Sequence, residues 1–168
     1  MLDEGYAAVT TRAVAKRAGL TPGLVHYYFP STDDLLVAAY RRTTARNFER
    51  LTRALEAEDP LRELWQLQTE ATPMELAIEF IALARHRKVI GAEIARYADY
   101  ARELQTAAIA RALQGGSVDL GVCPPACIST LLAGVSRVLI MEGAVGISKG
   151  HAETRSFVQW MLDRLGPG

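Results

Sequence analysis

Residues 10–36 read TTRAVAKRAGLTPGLVHYYFPSTDDLL. Thr10 or Thr11 can cap a short helix whose apolar positions Val14, Ala15 and Ala18 recur at helical spacing, and Gly19 stops it as a glycine just past a helix end does. Thr21 caps a second helix. Pro22 suits its first turn, where no N–H is needed, and Pro30 ends it after Phe29. Ser31 caps a third, with Asp33 and Asp34 in its first turn favourable to the helix dipole, and Leu35, Leu36, Ala39 and Tyr40 begin a long apolar face running towards Leu55. Two short helices joined by a tight glycine turn form a helix-turn-helix, whose second helix can enter the DNA major groove. That helix is too short to bury much, so Val25 and Phe29 are expected inward at i and i+4. His26 and Tyr27 are then left outside, with polar tips suited to phosphates and bases.

The surrounding composition fits such a unit on a helical protein. The chain has 168 residues, 49% of them hydrophobic, and equal numbers of basic and acidic side chains. It is long enough to bury a core without disulfides or metal, and no uninterrupted apolar run reaches the ~18 residues that span a bilayer. With two cysteines, no disulfide framework and no leader pattern, the expected compartment is the cytoplasm. A zero net charge argues against a protein that coats nucleic acid, but its distribution is uneven. Gly5 to Phe29 holds Arg12, Lys16 and Arg17 and no acid, whereas Phe48 onward carries 13 basic and 15 acidic residues. The N-terminal end is the anion-facing end, although three charges alone also suit a solvated helix.

Beyond residue 46 the pattern stays helical. Leu61 to Gln68 form a short helix after Asp59-Pro60. Thr72-Pro73 open another, running to His86, that is apolar nearly all round and is expected to be buried on every side. Lys88 to Gln114 continue helical with a break expected near Tyr97, up to a Gly115-Gly116 loop. Pro124-Pro125 open a long helix, and Ala152 to Leu165 form the last. No strand and no internal repeat emerges. The expectation is an all-α chain, with residues 1–46 as a helix-turn-helix domain and 47–168 as a helical domain for ligand binding and dimerisation.

The segment EGYAAVTTRAVAKRAGLTPGLVHYYFPSTDDLL resembles the DNA-binding domain of the TetR family of bacterial transcriptional repressors. The likeness rests on Gly5-Tyr6, the Thr-Thr-Arg entry, the Ala18-Gly19-Leu20 turn, and Tyr28-Phe29-Pro30-Ser31 with Leu35 beyond. It implies a phosphate contact for Thr11, a base contact for Arg12, base-contacting positions for Pro22, Gly23 and His26, and backbone contacts for Thr21, Tyr27 and Tyr28. Pro22 and Gly23 are also plain helix-start residues, and Tyr28 is also a candidate core ring. Thr32 stands where the family usually has a phosphate-gripping lysine, which replaces a charge-assisted contact by a neutral one. His26 stands where tyrosine is usual and makes a mildly pH-sensitive contact conceivable. Family members carry a helix before the Gly-aromatic pair where this chain has only MLDE. That helix covers Val9, Val14, Ala18 and Val25, so the expectation is that the native protein has residues preceding Met1 or that its N-terminal end has been lost or is disordered.

The resemblance further implies a homodimer paired through the last two helices. The stripe Leu131, Leu132, Val135, Val138 and Leu139, with Phe157, Trp160 and Met161, supplies apolar area, and Gly134 and Gly143 permit close crossing. Part of that set must also serve the chain's own core. A ligand pocket is expected in the helical domain, because Glu79 sits among apolar residues and a carboxylate buried alone is costly. Arg96, Tyr97 and Tyr100 are placed to face it, with Trp65, Phe80 and Met141 as apolar wall; a Glu79–Arg96 ion pair in an ordinary core is the plainer reading. Cys123 and Cys127 lack partners for a metal site and are read as buried thiols. No cofactor is expected, and no phosphate loop, HExxH or nucleophile elbow supports an enzyme. The functional expectation is a ligand-responsive repressor of an operator in double-stranded DNA, with no membrane partner. The alternative is a ligand-binding or adaptor protein on the same fold that does not bind DNA.

Overall fold

The computed structural model describes residues 9–114, 121–122 and 124–165, with the side chains of 71–73 excepted. Among them the chain forms eight helices and no strand: α1 Thr11–Ala18, α2 Pro22–Tyr28, α3 Thr32–Leu55, α4 Pro60–Gln68, α5 Ala71–Ala84, α6 Lys88–Ala112, α7 Pro125–Ala144 and α8 His151–Leu165. The all-α expectation holds. No break occurs near Tyr97, since α6 runs through it without interruption. The Gly115-Gly116 loop and Cys123 lie outside the described residues.

Two compact units share these helices. The first comprises the residues up to Asn47 together with Glu75–Ala98, and the second Phe48–Met74 together with the chain from Asp99 onward. The helix-turn-helix therefore packs in one group with much of α5 and the first part of α6.

In the first unit, Leu36 and Tyr40 of α3 meet Phe80 and Leu83 of α5 and Ile90 of α6 in one buried cluster, with Val9, Leu76 and Tyr97 against its edge. Tyr40 packs edge-on to Phe80, ring centroids 5.0 Å apart, and to Tyr97 at 6.2 Å. Burial, reinforced by Tyr97 and Glu93, pushes the Tyr40 phenol up to about 12. The α5 helix is not enclosed on every side: Phe80 and Leu83 are buried, while Ile81 is 41% exposed and Glu79 half-buried. An alanine-rich helix reads apolar all round from composition, yet it buries only the stripe that carries its large side chains.

Ion pairs fasten α3 to the α5–α6 region within this unit. Arg87 pairs with Asp33 at the start of α3. Arg41 grips Glu93 in bidentate fashion, Nε to Oε2 at 3.0 Å and Nη2 to Oε1 at 2.6 Å, and Arg96 adds a third bond at 2.6 Å. The Arg41 guanidinium, helped by Arg96, holds the Glu93 carboxyl down at about 2.

In the second unit, Leu61, Leu64 and Trp65 of α4, Ile109 of α6, Ile128 and Leu132 of α7 and Val158 and Leu162 of α8 are buried. Asp59 caps α4 through the Arg62 N–H, and the Arg62 side chain donates to both Asp59 and Asp163, the latter at 2.7 Å, so α4 is tied to α8. By length and composition α7 qualifies as a bilayer-crossing helix, with mean hydropathy 1.4, although it contains charged residues that keep it from being an uninterrupted apolar run. One face of it is committed to this unit, where Ser129 and Ser136 are fully buried beside Ile128, Leu132 and Leu139.

Candidate nucleic-acid interface

Each helix of the N-terminal motif starts and stops on its own side chains. The Thr10 hydroxyl accepts from the Ala13 N–H at 3.1 Å and so caps α1. At the other end Gly19 adopts φ +68°, and the Leu20 N–H reaches back to the Ala15 carbonyl at 2.9 Å. This left-handed turn sharply redirects the chain into the Thr21 cap of α2, whose hydroxyl accepts from Leu24 N–H at 3.3 Å. Ser31 and Asp34 then form a reciprocal capping box: Asp34 N–H donates to Ser31 Oγ at 3.1 Å, and Ser31 N–H to Asp34 Oδ2 at 3.0 Å.

With the motif so held, Ala15 of α1 and Val25 of α2 are buried and Phe29 is half-buried. The 100° step per residue then turns His26 and Tyr27 outward, and both are exposed as the sequence leads one to expect. Tyr28 is the surprise. It is 67% exposed rather than a core ring, and it packs edge-on against Tyr27, itself 78% exposed, with centroids 5.2 Å apart. Val25 and Phe29 suffice to anchor so short a helix, so a third inward side chain has no place. Two exposed tyrosines supporting each other, with apolar bodies and hydroxyl tips, are suited to lie along a polyanionic backbone.

Arg12, Lys16 and Arg17 are exposed on α1, and Thr21, Pro22 and Gly23 are exposed at the start of α2. A Cβ built on Gly23 would meet nothing within 4 Å, so the front of α2 is bare and open to close approach. Thr11 and Thr32 are half-buried at the first positions of α1 and α3. Leu20 and Leu24 remain 47% and 43% exposed beside them. The result is an exposed surface with three cations, an imidazole, two phenols and two helix N-termini, and no acidic side chain on α1 or α2. Such a surface can hold phosphates by charge and N–H groups and present Arg12 and His26 to base edges.

The sequence of residues 1–39 matches the family model described as bacterial regulatory proteins, tetR family. Over this N-terminal segment the chain thus matches the TetR family of transcriptional regulators. Among curated proteins it is 36% identical over 61 residues to the HTH-type transcriptional regulator BetI of Rhizobium meliloti (strain 1021), 36% of this chain and 30% of that protein. It is 30% identical over 98 residues to the HTH-type transcriptional regulator PksA of Bacillus subtilis (strain 168), 52% of this chain and 47% of the relative. With the HTH-type transcriptional repressor KstR of Rhodococcus jostii (strain RHA1) it shares 51% identity over 47 residues, 28% of this chain and 20% of the relative. The chain thus spans less than half the length of the curated relatives it matches.

The residues expected to line a ligand pocket divide between the two units. In the first, Phe80 and Tyr97 belong to the Tyr40 cluster, and Arg96 is paired with Glu93 and not with Glu79. Glu93 competes successfully because it lies one turn before Arg96 on the same helix. In the second, Trp65 is buried, Tyr100 is exposed and stacks on Phe48 at 5.0 Å, and Met141 is 51% exposed.

The residues expected at a dimer interface also divide. Leu132 and Leu139 are buried in the chain's own core, Val135 and Met161 are half-buried, and Leu131, Gly134, Val138, Phe157 and Trp160 are exposed. Cys127 is exposed rather than buried. Together Cys127, Leu131, Gly134, Val138 and Met141 of α7, with Val145 at its C-cap, make an exposed stripe whose steps alternate four and three residues. The sequence alone does not separate this stripe from the buried face of α7, which is equally apolar. Beside it, Thr130, Val135, Glu142, His151 and Thr154 help line an open groove of about 510 Å³.

Proposed function

We propose that the protein is a DNA-binding transcriptional regulator that works in the cytoplasm as a homodimer, represses from an operator and leaves it when a small molecule binds the helical domain. The observation that carries the reading is the outward row His26, Tyr27 and Tyr28 on a capped second helix, beside an acid-free cationic α1. In this reading Arg12 and His26, with Pro22 and Gly23 allowing close approach, read base edges. Thr11, Thr21, Tyr27, Tyr28 and Thr32 hold the phosphates. No step of the proposed function is chemical, so the protein acts without catalysis.

One such motif reads too few base pairs to find a site in a genome, which calls for two copies. The exposed α7 seam and the stacked Phe157–Trp160 pair, with Arg164 lying 4.4 Å over the Trp160 ring, support pairing through α7 and α8 in a four-helix contact. A ligand that favours a dimer whose recognition helices no longer match successive major grooves, about 34 Å apart, would release DNA. DNA must then weaken ligand binding by the same factor.

Electrophoretic mobility of the DNA upstream of the gene tests the reading. A discrete complex that survives excess random DNA is expected. Absence of any such complex over a range of upstream fragments would favour the adaptor reading, to which Thr32, in place of a phosphate-gripping lysine, lends support.

A further inference from the structure

Among the described residues of the second unit, one half-buried cation lacks a carboxylate partner. Arg102 of α6 is half-buried, and its Nη1 donates to the hydroxyl of Ser129 on α7 at 2.8 Å. Ser129 is fully buried and its hydroxyl donates to Gln105 Oε1 at 2.5 Å, and Gln105 is only 9% exposed. One turn along α6 from Arg102, the Thr106 hydroxyl oxygen is buried with no hydrogen-bond partner. A guanidinium carries five N–H donors, and this network uses one of them.

The charges nearby make matters worse. Arg137 of α7 opposes Arg102, and burial together with that repulsion pushes the Arg102 guanidinium down from its usual range. Asp99 lies one turn before Arg102 and Glu103 beside it, yet neither is bonded to it, and among the described residues no carboxylate pairs with either arginine. The other half-buried arginines of the unit are paired: Arg62 takes Asp59 and Asp163, and Arg50 takes Glu70. A partly desolvated cation beside a second cation is costly unless an anion completes it.

We propose that Arg102 and Arg137, with Ser129, Gln105 and Thr106 behind them, form the anion-recognising end of an effector site in the helical domain. The ligand class is a small organic anion, carboxylate or phosphate, whose oxygens take the free N–H groups of Arg102 while Arg137 adds long-range charge. Ser129 and Gln105 are positioning residues that fix the Arg102 fork. This deepens the ligand-response reading by naming the chemistry of the effector, and it shifts recognition from Glu79 and Arg96 to Arg102 and Arg137. Its regulatory meaning rests on that reading, whereas anion binding is measured without DNA, so the two fail separately.

The test uses the full chain and three probes of equal tail length: octanoate, octyl phosphate and octanol. Isothermal titration should show heat of binding for at least one anion and none for octanol. Which of the two binds assigns the headgroup. Arg102→Gln should weaken that binding roughly tenfold or more, and Arg137→Gln less, because only Arg102 bonds the anion directly. Arg155→Gln, on exposed α8 surface, should leave it unchanged. Folding is checked by melting without ligand, where Arg102→Gln should melt no lower than the wild type, since it removes an uncompensated charge. Equal affinity of octanol and the anions, no anion binding at all, or undiminished binding in Arg102→Gln would each overturn the proposal, as would a large loss of melting temperature in that variant.

Discussion

At the scale of single residues, backbone and charge can be separated experimentally. Gly19 has φ +68° and open space around its Cα, so Gly19→Ala meets no clash and its whole cost is the left-handed backbone, about 1–2 kcal/mol. Denaturant melts should show that loss. An unchanged midpoint would mean that the turn does not need the glycine. On DNA, Arg12→Ala and His26→Ala should each cost about 1–3 kcal/mol on the cognate site and little on random sequence. Tyr27→Phe should weaken both alike, since a phosphate contact carries no sequence information; fluorescence anisotropy on paired duplexes distinguishes the cases. The outward direction of His26 and Tyr27 was legible in the sequence because one buried residue, Val25, fixes the phase of a seven-residue helix. The exposure of Tyr28 was not, because aromatic character alone does not say whether a ring is anchored or displayed.

Elements are held to one another by charge as well as by apolar contact, and here the pH dependence has a definite sign. Glu93 lies near 2 in the folded protein against an ordinary 4.5, so the folded state prefers it ionised. Its contribution is complete above about pH 4.5 and fades as the pH falls towards 2. Arg41 is 59% and Arg96 70% exposed, so solvent screening keeps the contribution of the clasp small. Glu93→Gln should therefore lower the denaturant midpoint at neutral pH and match the wild type near pH 2. A deficit of constant size across that range would contradict the account. Helix limits were readable from caps: Thr10, Thr21, Ser31 and Asp59 each stand before the helix they open. What no cap reveals is which stripe of an alanine-rich helix is inside, and on that point α5 departs from its sequence.

For the whole molecule, assembly and DNA recognition are the remaining claims. Leu131 and Val138 are 54% and 51% exposed in the single chain, so Leu131→Asp and Val138→Asp should spare folding while placing charge on the proposed seam. Light scattering at micromolar concentration should find a dimer for the wild type and a monomer for the double variant; a wild-type monomer would refute pairing through α7. The sequence showed that α7 and α8 carry enough apolar residues to pair, but could not separate Leu132 and Leu139, which serve the core, from Leu131 and Val138, which do not. That distinction depends on which neighbour reaches α7 first in the folded chain.

The account centres on sequence-specific contact by α2, and selection from a random duplex pool by the full chain tests it most directly. Enrichment of one palindromic site is expected, with half-sites about one helical turn apart or a multiple of it, and with both half-sites losing their base preference at the same positions in His26→Ala. A pool that stays random, or an enriched site whose preferences are identical in wild type, Arg12→Ala and His26→Ala, would contradict it.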